Sequence, residues 1–537
     1  MQLTLDQILF LTPIAWIGVA ALLHATGYLH GDGKKRQGWF YFYFLGTLAA
    51  MTGVILAPTK FAFILAWEAM GLFSSGLVGF ESASPESRKA TWIYLLACHA
   101  GAVFLILAGV ASERPDPNWA AIWYLALVGF GLKIGFPPFH VWLPEAHPAA
   151  PAPASAVMSG AMIPLGFYGL VRWLPIHTAA LEHHVAWSML VFGGLAALGG
   201  ILFALPQRNI KKLLAFSSVE NMGVIAFGVS LWIFGESLHD GCGGAGETIS
   251  WLGMVGAALH VLNHAVLKGG LFLGAGSVLR MTGTLDCDKL GGLLKKMPWT
   301  GSLFTMNAFG LSGLPPLPAF LSEFCIYAAA VTALANHVLV LPAALILIVL
   351  ATTGGIAAAA YAKVVSATFL GAPRYDDAKI AETPKQMIVA QILLFIPNLV
   401  LMAPVVVLLD FLWLVRRYVL PRGRVNQRNL TWDCGYAEPT ARMAWTGTAF
   451  SQPLADTFKD VLKPRVHVKR PEGPFPGDAA VATETDDAGL ARFWNPIFHT
   501  AARLFQRVHL LQNGSLHLYI LMMIVAILVL LVWGAFV

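Results

Sequence analysis

The chain has 537 residues, of which 57% are hydrophobic and only 12% are charged, and its formal net charge is +6. Soluble domains carry about 25% charged residues, so this composition excludes a soluble globular protein and indicates an integral membrane protein. The basic residues lie in connections between apolar runs, which is typical of membrane loops rather than of a nucleic-acid-binding surface.

A helix needs about 20 apolar residues to cross a bilayer, and on that measure the chain contains about 13 or 14 spans. The predicted spans are 4–28, 39–58, 61–80, 91–111, 119–140, 153–175, 185–205, 210–233, 250–280, 300–334, 339–369, 386–416 and 515–537. The span 386–416 contains two prolines, so its topology is left open between one pass, two passes and a re-entrant element.

Basic residues are concentrated in alternate connections between these spans. The connections are Lys34–Arg36, Arg88–Lys89, Arg208–Lys212, Lys289–Lys296 and Arg374–Lys385. If the spans alternate in direction, all five lie on one face, which the positive-inside rule makes the cytoplasmic face. We therefore expect a multi-pass protein of the cell inner (plasma) membrane. The arginines between Arg416 and Arg428 fall on the opposite face by simple parity.

One motif occurs twice, as GFPPFHVWLPE from Gly135 and as GLPPLPAFLSE from Gly313. Paired prolines remove backbone donors and clash with the preceding turn, so Pro137–Pro138 and Pro315–Pro316 each predict a broken helix. Membranes tolerate such breaks where the freed backbone groups face protein or water, as they do along ion pathways. The repetition therefore predicts a duplicated transport unit.

Ionisable residues inside apolar spans are candidate functional residues, because a charge at the bilayer centre costs roughly 3 kcal/mol on insertion scales. The first half contains Glu68 and Lys133. The alternatives are a carboxylate near a helix end and a lysine that extends to the surface. A charge pair about 4 Å apart, at an effective dielectric of about 20, is worth roughly 4 kcal/mol. Approach and withdrawal of Glu68 would therefore make Lys133 hold and release a proton.

The second half contains His260, His264 and Lys268 at positions i, i+4 and i+8, so they share one face of a helix. Histidine titrates near neutrality, and a row of ionisable groups one turn apart suits a proton relay. Structural histidines bonded to backbone carbonyls are the alternative. No carboxylate or cysteine ligands accompany the row, and the five cysteines form no CxxC or Cys/His cluster. We therefore expect neither a metal nor a cofactor.

Two further carboxylates belong to the candidate pathway. Glu220 begins a Glu-Asn-Met-Gly sequence that resembles the Glu-Ala-Met-Gly at Glu68, although a structural or partner-facing role is also open. Glu323 ends the second copy of the Pro-Pro motif. Its counterpart Glu145 lies with His147 in a polar, Pro-rich stretch, so we expect both of these residues nearer the surface.

Residues 417–512 are polar, with Pro-rich and acidic patches, and are expected to form an irregular surface segment. Within them, residues 494–512 have apolar side chains at helical spacing, which predicts an amphipathic helix on the membrane surface or against a partner, or a simple tether. The predicted organisation has six parts. These are an N-terminal transmembrane helix (1–38), a first repeat (39–175), a second repeat (185–370), an additional transmembrane or re-entrant segment (371–420), a polar surface segment (421–512) and a C-terminal transmembrane helix (513–537).

Four motifs carry a family resemblance. They are Trp67-Glu68, the stretch from Lys133 to His147, the stretch from Asn263 to Ser277, and Gly313 to Pro316. Together they resemble the antiporter-like membrane subunits of respiratory complex I, Mrp-type cation/proton antiporters and membrane-bound hydrogenases. Three further stretches resemble component B of hydrogenase-4 and formate hydrogenlyase complexes. They are Ser218–Gly223, Lys289–Thr300 and Thr431–Met443.

The resemblance implies an all-α polytopic fold with two inverted five-helix repeats. It implies an ion pair and proton site at Glu68 and Lys133, with the path continued by His264, Lys268 and Glu323. It also implies a non-catalytic subunit that translocates protons or sodium beside other membrane subunits, while soluble partner subunits perform the redox chemistry. The alternatives are an antiporter or ion-uptake subunit without a redox partner, and a membrane scaffold that does not pump.

The span after the first break departs from this pattern. Many relatives place a lysine or histidine there, but the stretch from Ser159 to Tyr168 contains no basic residue. Pro164 has no N–H to donate to the Gly160 carbonyl, and Ser155 and Ser159 could hold water. A water bridge in place of the missing side chain and an interrupted path are both open.

Overall fold

The computed structural model describes residues 3–179, 181–238, 244–314, 317–375, 380–398, 445–469 and 480–508. Most of these residues are α-helical. The helices of the membrane part are α1 (Leu5–Tyr28), α2 (Lys34–Leu56), α3 (Lys60–Val78), α4 (Pro85–Ser112), α5 (Trp119–Ile134), α6 (Leu143–Ala149), α7 (Ala152–Val157), α8 (Leu165–Trp173), α9 (Glu182–Ala204), α10 (Ile210–Glu236), α11 (Ala245–Thr282), α12 (Pro298–Leu311), α13 (Pro318–Ala335), α14 (Val340–Phe369) and α15 (385–398).

Eleven helical segments in the described ranges are long and apolar enough to cross a membrane, which confirms the predicted all-α polytopic membrane fold. Polar caps set where several of them begin. The side chains of Thr59, Ser84, Asn118 and Asn209 each accept a backbone N–H three residues later, at the starts of α3, α4, α5 and α10. These bonds satisfy amide groups that have no partner within the helix.

The first predicted break is present. Helix α5 ends at Ile134, and Gly135 has a φ of 83°, a left-handed conformation that favours glycine. A Cβ at Gly135 would lie 2.1 Å from Cδ1 of Leu143, the first residue of α6. Between them the chain passes Pro137 and Pro138 and a 3₁₀ turn. The indole N–H of Trp142 donates to the Leu132 carbonyl at 2.7 Å and so satisfies a group at the end of α5.

The second copy of the motif also interrupts a helix. The single predicted span 300–334 consists of α12, which ends at Leu311, and α13, which begins at Pro318. Gly313 between them has a φ of 65°. Pro315 and Pro316 lie outside the described residues.

Helix α10 occupies the centre of the membrane part, and the apolar window that makes it a candidate span is completely buried. Glycines allow its neighbours to approach closely. A Cβ at Gly223 would lie 2.4 Å from the Ala197 backbone nitrogen of α9, and one at Gly228 would lie 2.8 Å from the Ala257 Cβ of α11. Close backbone contact at small residues is typical of helix packing in membranes. The candidate residues on α10 and α11 are therefore held between protein helices.

The segment beyond α15 is more ordered than expected. Its described parts contain α16 (Gly447–Thr457), α17 (Lys459–Leu462) and an antiparallel pair, β1 (Arg465–Lys469) and β2 (Ala480–Glu484), so the expectation of irregular structure was wrong there. Alternation of Val466 and Val468 with polar residues suits such a hairpin. A separate compact unit begins at Asp486 and contains α18 (Asn495–Val508), which confirms a helix within the predicted range 494–512. The stretch Thr431–Met443 and the predicted span 515–537 lie outside the described residues.

Candidate functional site

Lys133 lies in the last turn of α5 and is 4% exposed. Its ammonium donates to the Tyr94 hydroxyl and to the Cys98 sulfur, both at 3.3 Å. The rings of Trp67, Tyr94 and Trp142 lie 5.7, 5.2 and 6.0 Å from the Lys133 nitrogen. Aromatic faces attract a cation, and more strongly where water is excluded. The side chain therefore points into the protein, and the alternative of a lysine extended to the surface does not hold.

The structure places the Glu68 carboxylate away from Lys133. Its Oε2 lies 2.8 Å from Nδ1 of His99, and the two side chains are 27% and 51% exposed. No ion pair within 4.0 Å joins Glu68 to Lys133 in the described part of the chain. A small space of about 10 Å³ lies beside Lys133 and is lined by Trp67 and Cys98 among others, which is about the volume a single water needs. The approach of Glu68 to Lys133 and its withdrawal thus stay a prediction.

A hydroxyl chain extends from Lys133 through Tyr94. The Tyr94 hydroxyl lies 2.6 Å from the Ser74 hydroxyl and donates to the Met162 sulfur at 3.6 Å. A thioether is a weak acceptor and carries no proton, so the direct chain ends at Met162 on the side of the second half. The sequence analysis did not identify Tyr94 or His99. His99 could have been identified from the sequence, because it is an ionisable residue inside the predicted span 91–111.

Pro164 produces a local change in the helix that follows the first break. Residues Met158–Met162 form a π-helical turn between α7 and α8, in which the Ile163 N–H donates to the Met158 carbonyl at 3.1 Å. Such turns widen a helix by one residue and free a carbonyl for other partners. The distortion therefore lies in the stretch from Ser159 to Tyr168, which has no basic residue.

Ser159 in this π-helical turn makes two polar contacts with the second half. Its hydroxyl lies 2.9 Å from the Ser218 hydroxyl of α10, and its carbonyl lies 3.3 Å from Nε2 of His264 on α11. Both serines are fully buried. The two halves are thus joined by hydrogen bonds where the sequence lacks a basic residue.

Helices α10, α11 and α13 meet around His260. Its Nε2 lies 3.1 Å from Oδ1 of Asn221, and its Nδ1 lies 2.9 Å from the Ser322 hydroxyl. The Asn221 amide donates to Oε2 of the neighbouring Glu220 at 2.5 Å. These four side chains are at most 4% exposed. A hydrogen-bonded row therefore runs from Glu220 to the residue preceding Glu323.

Lys268 repeats the surroundings of Lys133 in the second half. It is fully buried, and its ammonium donates to the Leu214 carbonyl at 3.1 Å, to the Ser217 hydroxyl and to the Tyr361 hydroxyl at 3.3 Å. Each half thus contains a buried lysine bound to a tyrosine hydroxyl. Lys268 also interacts electrostatically with Glu220, which gives the second half a lysine and a carboxylate as in the first.

Glu323 lies at the second break and is 7% exposed. Its carboxylate covers Gly313, where a Cβ would lie 2.5 Å from Oε2. Gly313 therefore leaves the carboxylate room that any other residue would fill. Glu323 thus stands at the interrupted helix, beyond the row that begins at Glu220.

The expectation for His147 was wrong, because this side chain is fully buried, with its ring stacked on Phe272 at 4.8 Å. The polar, Pro-rich stretch forms the short helix α6, which packs against α10 instead of facing water. Glu145 is nearer the surface, as expected, and forms ion pairs with Lys89 at 3.6 Å and Lys212 at 3.8 Å.

Two further lysines are buried and bind carbonyls near the ends of other helices. Lys211 was assigned to a basic connection, but it lies in α10, is 1% exposed and donates to the Ala150 carbonyl at 2.6 Å. Lys363 was not identified, although a lone lysine inside the predicted span 339–369 was a usable signal. It donates to the Leu205 and Gln207 carbonyls at 2.5 and 2.6 Å. Both cations satisfy carbonyls at the C-terminal end of a helix.

No group of three or more His, Cys, Asp or Glu side chains in the described ranges is placed to hold a metal ion. The contacts of the buried lysines and histidines are hydroxyls, amides, carbonyls and one thiol. Such an arrangement can bind and pass protons.

Comparison with known proteins places these features in context. Residues 114–240 and 243–351 match the family described as NADH:quinone oxidoreductase/Mrp antiporter, transmembrane. Hydrogenase-4 component B of Escherichia coli (strain K12) is 31% identical, over 97% of this chain and 86% of that protein. Formate hydrogenlyase subunit 3 of the same organism is 31% identical, over 78% and 74%. A chain of an archaeal membrane-bound sulfane sulfur reductase shares the fold with a TM-score of 0.75 at 20% identity, over 99% of this chain and 89% of that one.

Proposed function

Because this chain belongs to the NADH:quinone oxidoreductase/Mrp antiporter transmembrane family, we propose that it translocates protons, or sodium ions, as a membrane subunit of a multi-subunit oxidoreductase. It would couple electron transfer in partner subunits to ion movement. The names of two relatives, a hydrogenase-4 component and a formate hydrogenlyase subunit, support a hydrogenase-type complex with further membrane subunits and soluble redox subunits. The expected location is the cell inner membrane.

One observation carries the proposal, namely the pair of buried lysines Lys133 and Lys268 in equivalent hydroxyl surroundings of an otherwise apolar interior. Burial of a charge is costly unless it is paired and hydrogen-bonded, so such residues mark ion pathways in membrane proteins. Neither lysine has a carboxylate within 4.0 Å among the described residues. Each can therefore exchange a proton without first breaking a close ion pair.

The carboxylates supply the switch in this proposal. Glu68, bound to His99 in this conformation, would move toward Lys133 and stabilise its ammonium, and withdrawal would favour release of the proton. Glu220 would act in the same way on Lys268. Between the halves, the proton would pass the Ser159–Ser218 contact beside His264, and Glu323 would continue the path at the second break.

Two experiments test the proposal. Purification of the intact assembly from native membranes should recover subunits that contain nickel or iron–sulfur clusters, and their absence would refute a redox complex. In proteoliposomes of the assembly, Lys133→Ala and Glu68→Gln should lower proton release driven by electron transfer. Unchanged coupling in both variants would contradict ion translocation through this chain.

A further inference from the structure

His147 has an environment that the proposed path does not explain. The side chain is fully buried, and neither ring nitrogen has a hydrogen-bond partner among the described residues. A neutral imidazole carries one N–H donor and one acceptor nitrogen, and buried polar groups are nearly always hydrogen-bonded. Stacking on Phe272, with an angle of 25° between the rings, fixes the ring but satisfies neither nitrogen. Both nitrogens therefore need a polar partner, and water is small enough to serve as one between packed helices.

His147 lies close to two buried lysines. Phe272, on which it stacks, follows Lys268 by one turn of α11, so the two side chains share a helix face. Lys268 and Lys211 are both close enough to interact electrostatically with the His147 ring. The ring is thus adjacent to the proton site of the second half.

The other side of His147 leads to the membrane face that carries the basic connections. The Ser155 hydroxyl donates to the His147 carbonyl at 3.0 Å, and Lys211 donates to the Ala150 carbonyl at 2.6 Å. Glu145, two residues before His147, has a 21% exposed side chain and pairs with surface lysines. Polar groups therefore extend from the partly exposed Glu145 carboxylate to the backbone carbonyls of the helix that carries the buried ring.

We propose that His147 is a proton relay that connects Lys268 with water at the face of the basic connections. The inference rests on the proposed function and gives the second half its own inlet, which does not pass through Lys133 or Glu68. Imidazole suits the step because a proton can bind at one ring nitrogen and leave from the other. The ring then returns to its neutral form, and only a proton has moved between water and the lysine.

The test measures proton translocation per electron pair by the intact complex in inside-out vesicles, with three variants. His147→Phe keeps an aromatic ring against Phe272 but carries no proton, and Lys268→Ala removes the proposed site. His183→Phe makes the same chemical change at an exposed histidine at the start of α9. We expect at least a tenfold loss in the first two variants and none in the third.

The outcomes separate the relay from the proposed function. Loss in Lys268→Ala together with full translocation in His147→Phe overturns the relay and leaves the function intact. Full translocation in Lys268→Ala as well contradicts the function itself.

A second measurement decides the case if His147→Phe does not accumulate in the membrane. The variant His147→Cys, in a chain whose five native cysteines are replaced by serine, is treated with a charged methanethiosulfonate from either face. The relay predicts labelling from the face of the basic connections only. Labelling from the opposite face, or from neither, overturns it.

Discussion

The hydroxyl contact between Ser159 and Ser218 offers the sharpest separation of a conducting role from a structural one. We expect Ser159→Ala and Ser218→Ala each to lower proton translocation at least tenfold, because each removes one side of the 2.9 Å bridge between the halves. A tenfold fall in rate corresponds to about 1.4 kcal/mol of barrier. The double variant should fall no further than either single one, since the two hydroxyls form one bridge.

The stability effect of the same substitutions is small. Hydrogen bonds between membrane helices average about 0.6 kcal/mol and reach about 1.7 kcal/mol. After loss of the Ser159 hydroxyl, Ser218 still donates to the Leu214 carbonyl at 2.9 Å, so Ser159→Ala leaves no buried donor unsatisfied. For Ser159→Ala the amount of assembled complex and its Tm should therefore change little, and a large loss of translocation could not be attributed to unfolding.

The assay is quenching of a pH-sensitive dye in inside-out vesicles, normalised to electron transfer. Ser188→Ala is the matched control, because Ser188 is a buried serine that accepts the Trp123 indole N–H at 3.0 Å outside the proposed path. Translocation at the level of the unmodified protein in both single variants and in the double variant would refute passage through this contact. A loss equal to that of the control would refute it as well.

Three further outcomes are expected. Tyr94→Phe keeps the ring beside Lys133 but removes a charge-assisted hydrogen bond worth about 1.5–3 kcal/mol. Proton translocation should therefore fall about tenfold or more while the complex assembles normally, and unchanged dye quenching would exclude a role for the hydroxyl. His99→Ala releases Glu68 from a partly exposed pair worth about 0–1 kcal/mol. The number of protons translocated per electron should therefore change while Tm stays the same. A lower Tm with an unchanged proton-to-electron ratio would make the pair structural. Burial raises the pKa of Cys287 to about 11, which leaves about 0.1% thiolate at pH 8. Maleimide should therefore label this cysteine only when the protein unfolds, as mass spectrometry would show. Rapid labelling of the folded protein in membranes would disprove the burial of Cys287.

Periodicity predicted which residues share a face, but not what they contact. His260, His264 and Lys268 are all buried along α11, as their spacing indicates. Their partners lie on other helices, with Asn221 and Tyr361 separated from them by 39 and 93 positions in the chain. Contacts of this kind depend on how helices pack, which hydrophobic spacing does not specify.

Local polarity was a poor guide to depth in the membrane part. Prolines and polar residues around His147 indicated a surface stretch, yet packing of α6 against α10 buries the ring. Lys211 was counted in a basic connection, although the predicted span 210–233 also contains it; helix α10 begins at Ile210 and carries the lysine inward. The Ala150 carbonyl at the end of α6 accepts a hydrogen bond from the buried Lys211 and so offsets the cost of burying its charge. No pattern in the sequence reveals such a carbonyl.

The central claim is that Lys268 belongs to the path of the translocated ion. Its most direct test is the number of protons translocated per electron pair by the intact complex with Lys268→Met, which keeps the length of the side chain and removes the charge. We expect a loss of at least tenfold in proton translocation, with the complex assembled and Tyr361 still in place. An unchanged ratio at normal assembly would contradict it.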